Sequence, residues 1–74
     1  MANTSYAALF KRLSDGRWEG QMLDIPAIVA SGDTREDAAR QLREAMGIYM
    51  EKMRQAGLKI PPPNAQIAEI EVSV

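Results

Sequence analysis

The sequence predicts an α+β domain in which one helix packs on one face of a four-stranded, mostly antiparallel sheet. Three observations support this: a turn-centred pair of strand-like segments, an apolar stripe with helical spacing, and an alternating C-terminal segment. The predicted order is β-β-β-α-β. A right-handed crossover through the helix would place the fourth strand parallel to the first, in the strand order 3-2-1-4. With 74 residues, the chain is expected to form a single domain over residues 1–74.

The first two strands are predicted as a hairpin over residues 5–13 and 18–23. Residues 14–17, Ser-Asp-Gly-Arg, form the turn, because Asp can accept a hydrogen bond from its own backbone and Gly tolerates positive φ. Pro26 ends the second strand, since it lacks an amide hydrogen. A third short strand is predicted over residues 28–31.

The helix is predicted to begin after Thr34, a good N-cap, with acidic residues in its first turn. Apolar side chains then recur at helical spacing, and Gly57 supplies the stop. The members of this stripe are Leu42, Met46, Tyr49, Met53 and Ala56.

The last segment, residues 65–74, is predicted as the fourth strand. Ala68, Ile70, Val72 and Val74 alternate with Glu69, Glu71 and Ser73, so one face would be buried and the other exposed. A proline-rich connector over residues 60–64 precedes it and is expected to be extended.

Self-association is expected because the chain is short and has no cysteine to form disulfides. Ile48 and Met50 lie off the main helical stripe. They are candidates for a homodimer or higher homo-oligomer interface, although a helix that contributes to the core alone is the favoured interpretation.

Catalysis is not expected. The sequence contains neither histidine nor cysteine, which excludes the common acid–base and nucleophile pairs. Scattered carboxylates such as Glu19, Asp24, Asp33 and Glu44 are a weak basis for a metal site, and no cofactor is expected. Residues 32–34, Gly-Asp-Thr, lack the glycine-rich run and lysine of a phosphate-binding loop.

Binding to nucleic acid or membranes is disfavoured. The net charge is −1 and basic residues are interspersed with acidic ones, so no basic stripe stands out. Tyr6, Phe10 and Trp18 could share a sheet face and stack on RNA, but they are better candidates for the core under the helix. No long apolar run or signal peptide is apparent, so we expect a cytoplasmic protein.

The segment from residue 24 to residue 38, DIPAIVASGDTREDA, resembles the signature of the HicB antitoxin family. Within this signature, the residues expected to have a structural role are Asp24, Pro26, Gly32, Asp33 and Thr34. The resemblance extends to Tyr6, the hairpin turn before Trp18, the helix around Tyr49, and the exit loop from Gly57 to Pro63.

The resemblance implies a partially degenerate ribonuclease-H-like domain of a bacterial toxin–antitoxin system. Such a domain neutralises a HicA-type toxin, a small basic mRNA-cleaving protein, by occluding it. Glu19, Asp24, Glu69 and Glu71 are the candidate contacts to the basic toxin face. Since the sequence ends after the predicted fourth strand, the DNA-binding domain of larger family members is not expected. The alternative is a stand-alone RNA-binding or oligomeric domain without a toxin partner.

Overall fold

A computed structural model describes residues 4–73, which form an α+β domain with a three-stranded antiparallel sheet and one helix. The elements are β1 (Ala8–Arg12), β2 (Trp18–Met22), β3 (Val29–Gly32) and α1 (Arg35–Gln55). The strand order is β1-β2-β3, so β2 is central. The predicted hairpin, third strand and helix are therefore confirmed; β1 and β2 are shorter than predicted, and β3 is shifted by one residue.

The β1–β2 hairpin closes as the turn chemistry predicts. Gly16 has a φ of +88°, and the Arg17 amide donates to the Asp15 carboxylate at 3.0 Å. The ladder continues past the strands, because the Leu13 amide donates to the Arg17 carbonyl at 2.7 Å. The turn thus sets the register that pairs Arg12 with Trp18.

Local caps define both ends of α1. The Asp37 amide donates to Thr34 Oγ1 at 3.0 Å, which satisfies one of the free amides of the first turn. At the other end Gly57 adopts a φ of +70°, and the Leu58 amide donates to the Met53 carbonyl at 2.9 Å. The predicted start and end of the helix are both confirmed.

The core lies between α1 and the β2–β3 side of the sheet. Its buried members are Met22, Ile25, Ala38, Leu42 and Met46. Several half-buried apolar residues pack against this cluster, including Tyr6, Phe10, Tyr49 and Met50. Because α1 packs mainly on β2 and β3, the β1 side of this face is less completely covered.

The predicted fourth strand is not seen, and the order 3-2-1-4 is therefore not observed. Residues 65–73, which we call the tail, form neither strand nor helix, and Val74 lies outside the described residues. Ile67, Ile70 and Val72 are 71%, 79% and 75% exposed. An alternating segment becomes a strand only when a neighbouring strand satisfies its backbone and an apolar surface covers its side chains, and the tail contacts neither.

The longest dimension of the molecule exceeds the length of its helix. The molecule measures 48 × 27 × 23 Å, whereas a helix of 21 residues is only about 32 Å long.

Candidate protein-binding site

An open apolar groove runs between β1 and α1, where the helix leaves the sheet incompletely covered. Its volume is about 480 Å³. We call it the β1 groove. Its apolar lining residues are Tyr6, Ala8, Phe10, Met22, Ala39, Leu42, Met46 and Met50, and Thr4, Arg43 and Gly47 also line it. A groove of this lining is suited to apolar side chains from a protein partner.

The outer edge of β1 borders this groove, and no strand within residues 4–73 pairs with it. Ala7 and Leu13 exchange ladder hydrogen bonds with the β2 side of the hairpin. Since hydrogen-bonded residues alternate along an antiparallel strand, the backbone groups of Ala8, Phe10 and Arg12 point away from β2. An edge of this kind can accept a further strand.

Two long-range contacts hold the base of the tail against the domain. The Tyr6 hydroxyl donates to the Pro61 carbonyl at 2.6 Å. The Asp24 carboxylate accepts from the amides of Asn64 and Ala65 at 3.2 and 3.0 Å. These contacts join residues 40 or more positions apart, so they fix where the tail leaves the fold.

Asp24 therefore has a structural contact beyond its candidate role in partner binding. Glu19 lies on β2 and forms an ion pair with Lys11 at 3.5 Å, on the sheet face opposite the helix. Glu69 and Glu71 are exposed on the tail. Of the four candidate acidic contacts, these last two are the pair that the structure leaves most open to solvent.

Ile48 and Met50 lie in different environments and do not form one surface. Ile48 is 59% exposed, whereas Met50 is half-buried, packs against the core and lines the β1 groove. Met50 thus belongs to the groove, and Ile48 to the solvent-facing side of α1.

The remaining signature positions lie in the connections before and after β3. Gly32 is buried where β3 meets α1, and Asp33 forms an ion pair with Arg17 at 3.5 Å. Pro26 is exposed, and its carbonyl accepts from Gln21 Nε2 at 3.0 Å. Gly32 and the Thr34 cap lie at the start of α1, whereas the Pro26 contact joins the β2–β3 loop to β2.

The aromatic residues considered for RNA stacking are not displayed as an open surface. Tyr6 and Phe10 are half-buried and pack against the core, and Trp18 is also half-buried. This arrangement fits the core interpretation better than the stacking one.

Among residues 4–73, no cluster of three or more acidic side chains could hold a metal ion. Over the same residues, α1 is too polar to serve as a membrane-crossing helix.

Sequence reasoning missed the groove and both tail contacts. Tyr6 and Pro61 could not be paired from the sequence, because their hydrogen bond joins residues 55 positions apart. The sequence did contain the two halves of the Asp24 contact. Asp24 follows a strand and can accept hydrogen bonds, and the amides of Asn64 and Ala65, after the proline run, can donate them. The sequence around each of them, however, does not indicate that they lie close together in the fold.

Comparison with known proteins gives no significant match to any family model, curated protein or solved structure. The functional argument therefore depends on the residues and geometry of this chain.

Proposed function

We propose that this chain is a non-catalytic protein-binding module that acts like a HicB antitoxin and neutralises a HicA-type mRNA-cleaving toxin by occluding it. The observation that carries the binding role is the β1 groove together with the outer edge of β1. A protein partner can fill the groove with apolar side chains and pair its backbone with the edge. Few other ligands use both features at once.

The toxin assignment is supported by the resemblance of residues 24–38 to the family signature. In this structure the signature residues serve the fold: Thr34 caps α1, Gly32 allows the close β3–α1 approach, and Asp24 holds the tail. The signature therefore supports a shared architecture, and the toxin-binding role is proposed from that architecture.

Acidic tail residues supply the electrostatic part of the proposal. Glu69 and Glu71 are exposed and lie two positions apart on the tail, so they would share one side of that segment in an extended conformation. They would attract a basic partner and raise the association rate more than the final affinity.

Co-expression with a small basic protein encoded next to this chain tests the proposal. We expect a complex that survives purification and relief of the growth arrest that the toxin causes alone. If the two soluble proteins fail to associate and toxicity persists, the antitoxin proposal is wrong.

A charge-matched pair of variants tests the acidic contacts. The double variant Glu69→Gln/Glu71→Gln should slow association several-fold at low salt, and the difference should shrink as salt screens the charges. The control, Glu36→Gln/Glu44→Gln, removes the same charge from exposed helix positions. Equal slowing in both variants would show that only net charge matters.

RNA binding is the weaker alternative. It predicts salt-dependent retention of RNA that decreases when Arg12 and Arg17 are changed to alanine. Loss of RNA retention in the double variant, without loss of folding, would favour it over the antitoxin proposal.

A further inference from the structure

We propose that the tail closes over the β1 groove of its own chain, as a strap that adds a parallel strand to the outer edge of β1. The structure describes the open arrangement, in which no strand within residues 4–73 pairs with that edge. In the closed arrangement the tail occupies the surface that a protein partner would use, so the strap competes with the partner. This regulatory role rests on the proposed function, whereas the closing of the tail does not.

Both contacts at the base of the tail lie at the start of β1. Tyr6, which donates to the Pro61 carbonyl, precedes β1 by two residues. The Leu23 amide donates to the Ala7 carbonyl at 3.1 Å, which sets these two residues opposite each other. Asp24, the next residue, therefore lies level with Tyr6. The tail thus leaves the fold at the end of the edge with which it would pair.

The tail is long enough to cover this edge. Strands lie about 4.8 Å apart and rise about 3.3 Å per residue, so the chain from Ala65 to Ala68 can step across two strand spacings. The remaining residues, 68–73, extend for about 20 Å, against about 17 Å for the five residues of β1. Residues 66–73 contain neither Gly nor Pro, so the segment can remain extended and pair throughout.

The alternation of the tail matches the groove face of β1. Ala8 and Phe10 line the groove. In a parallel strand that starts level with them, Ala68, Ile70 and Val72 face the same side of the sheet and enter the groove. Ile70 and Val72 are 79% and 75% exposed in the open arrangement. Closing therefore removes apolar surface from water on the tail and in the groove.

The charges agree with the parallel direction that the anchored base imposes. β1 ends in Lys11 and Arg12, and the tail carries its two acidic residues, Glu69 and Glu71, in its second half. A parallel strand places the acidic half of the tail beside the basic end of β1. Glu71 would then lie near Lys11, on the sheet face opposite the helix.

The tether favours the chain's own tail over other occupants of the groove. A segment joined by a short linker to its site has an effective concentration of the order of millimolar, far above that of another molecule in dilute solution. A partner that needs the same surface binds only the open molecules. Its apparent affinity is therefore reduced by the fraction of molecules that are open.

Hydrogen exchange of the full chain, followed by NMR, tests the closing without any partner. The amides of Ala8, Phe10 and Arg12 point away from β2, so only an added strand can protect them. We expect them to exchange roughly tenfold more slowly than unprotected amides, because the closed tail accepts their hydrogen bonds. Ile70→Asp should abolish this protection, since it places a charge in the apolar groove.

Two controls separate closing from other effects. Ser73→Asp adds the same charge on the opposite side of the tail and should keep the protection. The amides of Leu9 and Lys11 bond to β2 and should exchange equally in all three proteins. Positions 70 and 73 are exposed in the open arrangement, so circular dichroism should show both variants folded.

Three results would overturn the strap. The first is exchange of the outer β1 amides at the unprotected rate in the unmodified chain. The second is protection that persists in Ile70→Asp. The third is protection that is lost on dilution, which would show that another molecule covers the edge instead of the chain's own tail.

Binding of the small basic protein encoded next to this chain tests the competition. One closing equilibrium governs both measurements, so Ile70→Asp should bind that protein about tenfold more tightly, the same factor by which its outer amides exchange faster. Ser73→Asp should bind like the unmodified chain. Equal affinity of Ile70→Asp and the unmodified chain would overturn the regulatory role. Absence of binding in all three proteins would overturn the proposed function, and the exchange result would still decide whether the tail closes.

Discussion

Replacing Gly32 with alanine tests how closely the end of β3 approaches the start of α1. A Cβ atom at this position would lie 2.7 Å from the Ala38 backbone nitrogen and 2.7 Å from the Asp37 Cβ. Carbon atoms in good contact are about 3.5–4.0 Å apart. The obstructing atoms belong to the first turn of a capped helix and cannot rotate aside, so the helix itself must move.

The expected cost follows from this overlap. Overpacking of a core typically lowers the free energy of unfolding by about 1–3 kcal/mol. Here the added Cβ overlaps with backbone atoms of the helix, so we expect a loss of about 2–3 kcal/mol. At about 0.05–0.15 kcal/mol per residue, a 74-residue domain is stable by only roughly 4–11 kcal/mol. With about 4–8 °C per kcal/mol for a domain of this size, the melting temperature should fall by at least about 8 °C.

Thermal unfolding by circular dichroism at one fixed protein concentration measures this effect. Gly47→Ala is the matched control, because Gly47 lies within α1 and its Cβ would meet nothing within 4 Å. Alanine is about 0.8–1.0 kcal/mol better than glycine inside a helix, so this variant should melt higher. If Gly32→Ala melts at the same temperature as the unmodified chain, Gly32 does not lie as close to the first turn of α1 as the structure places it.

Two further substitutions test the tail contact and the outer helix face. Asp24→Ala should speed hydrogen exchange at the Asn64 and Ala65 amides by roughly tenfold. A hydrogen bond to a charged group contributes about 1.5–3 kcal/mol, and these bonds should contribute less because they lie near the surface. Asp24→Asn keeps one acceptor oxygen and should have a smaller effect; equal exchange in all three proteins would contradict the contact. Ile48→Glu should leave the melting temperature unchanged, because Ile48 is 59% exposed and lies away from the groove. A clear fall in the melting temperature of that variant would show that the outer face of α1 is packed against other residues.

The hairpin and the helix were predictable because their causes are local. The Asp15–Gly16 turn, the Thr34 cap and the Gly57 stop each depend on interactions within a few residues. Likewise, the spacing of Leu42 and Met46 by itself indicates a helix face that must be buried, and both residues are buried.

The proposed binding site was less predictable. Met50 was a candidate for an outer interface, yet it lines the β1 groove, because α1 sits over β2 and β3 and turns that side of the helix toward β1. Asp24 was a candidate contact for a partner, yet it holds the tail. In both cases the role depends on where another element lies, which the local sequence does not specify.

The sequence by itself determined three strands, one helix and their caps and turns, because short-range hydrogen bonds and apolar periodicity decide these features. Only the tertiary structure decided the state of residues 65–73. The alternation of apolar and polar residues indicates that this segment can form a strand, but a strand forms only when it pairs with a neighbouring strand. Tyr6 and Asp24 hold the base of the tail near the start of β1, yet within the described residues the tail does not pair with the β1 edge, and its apolar side chains remain exposed.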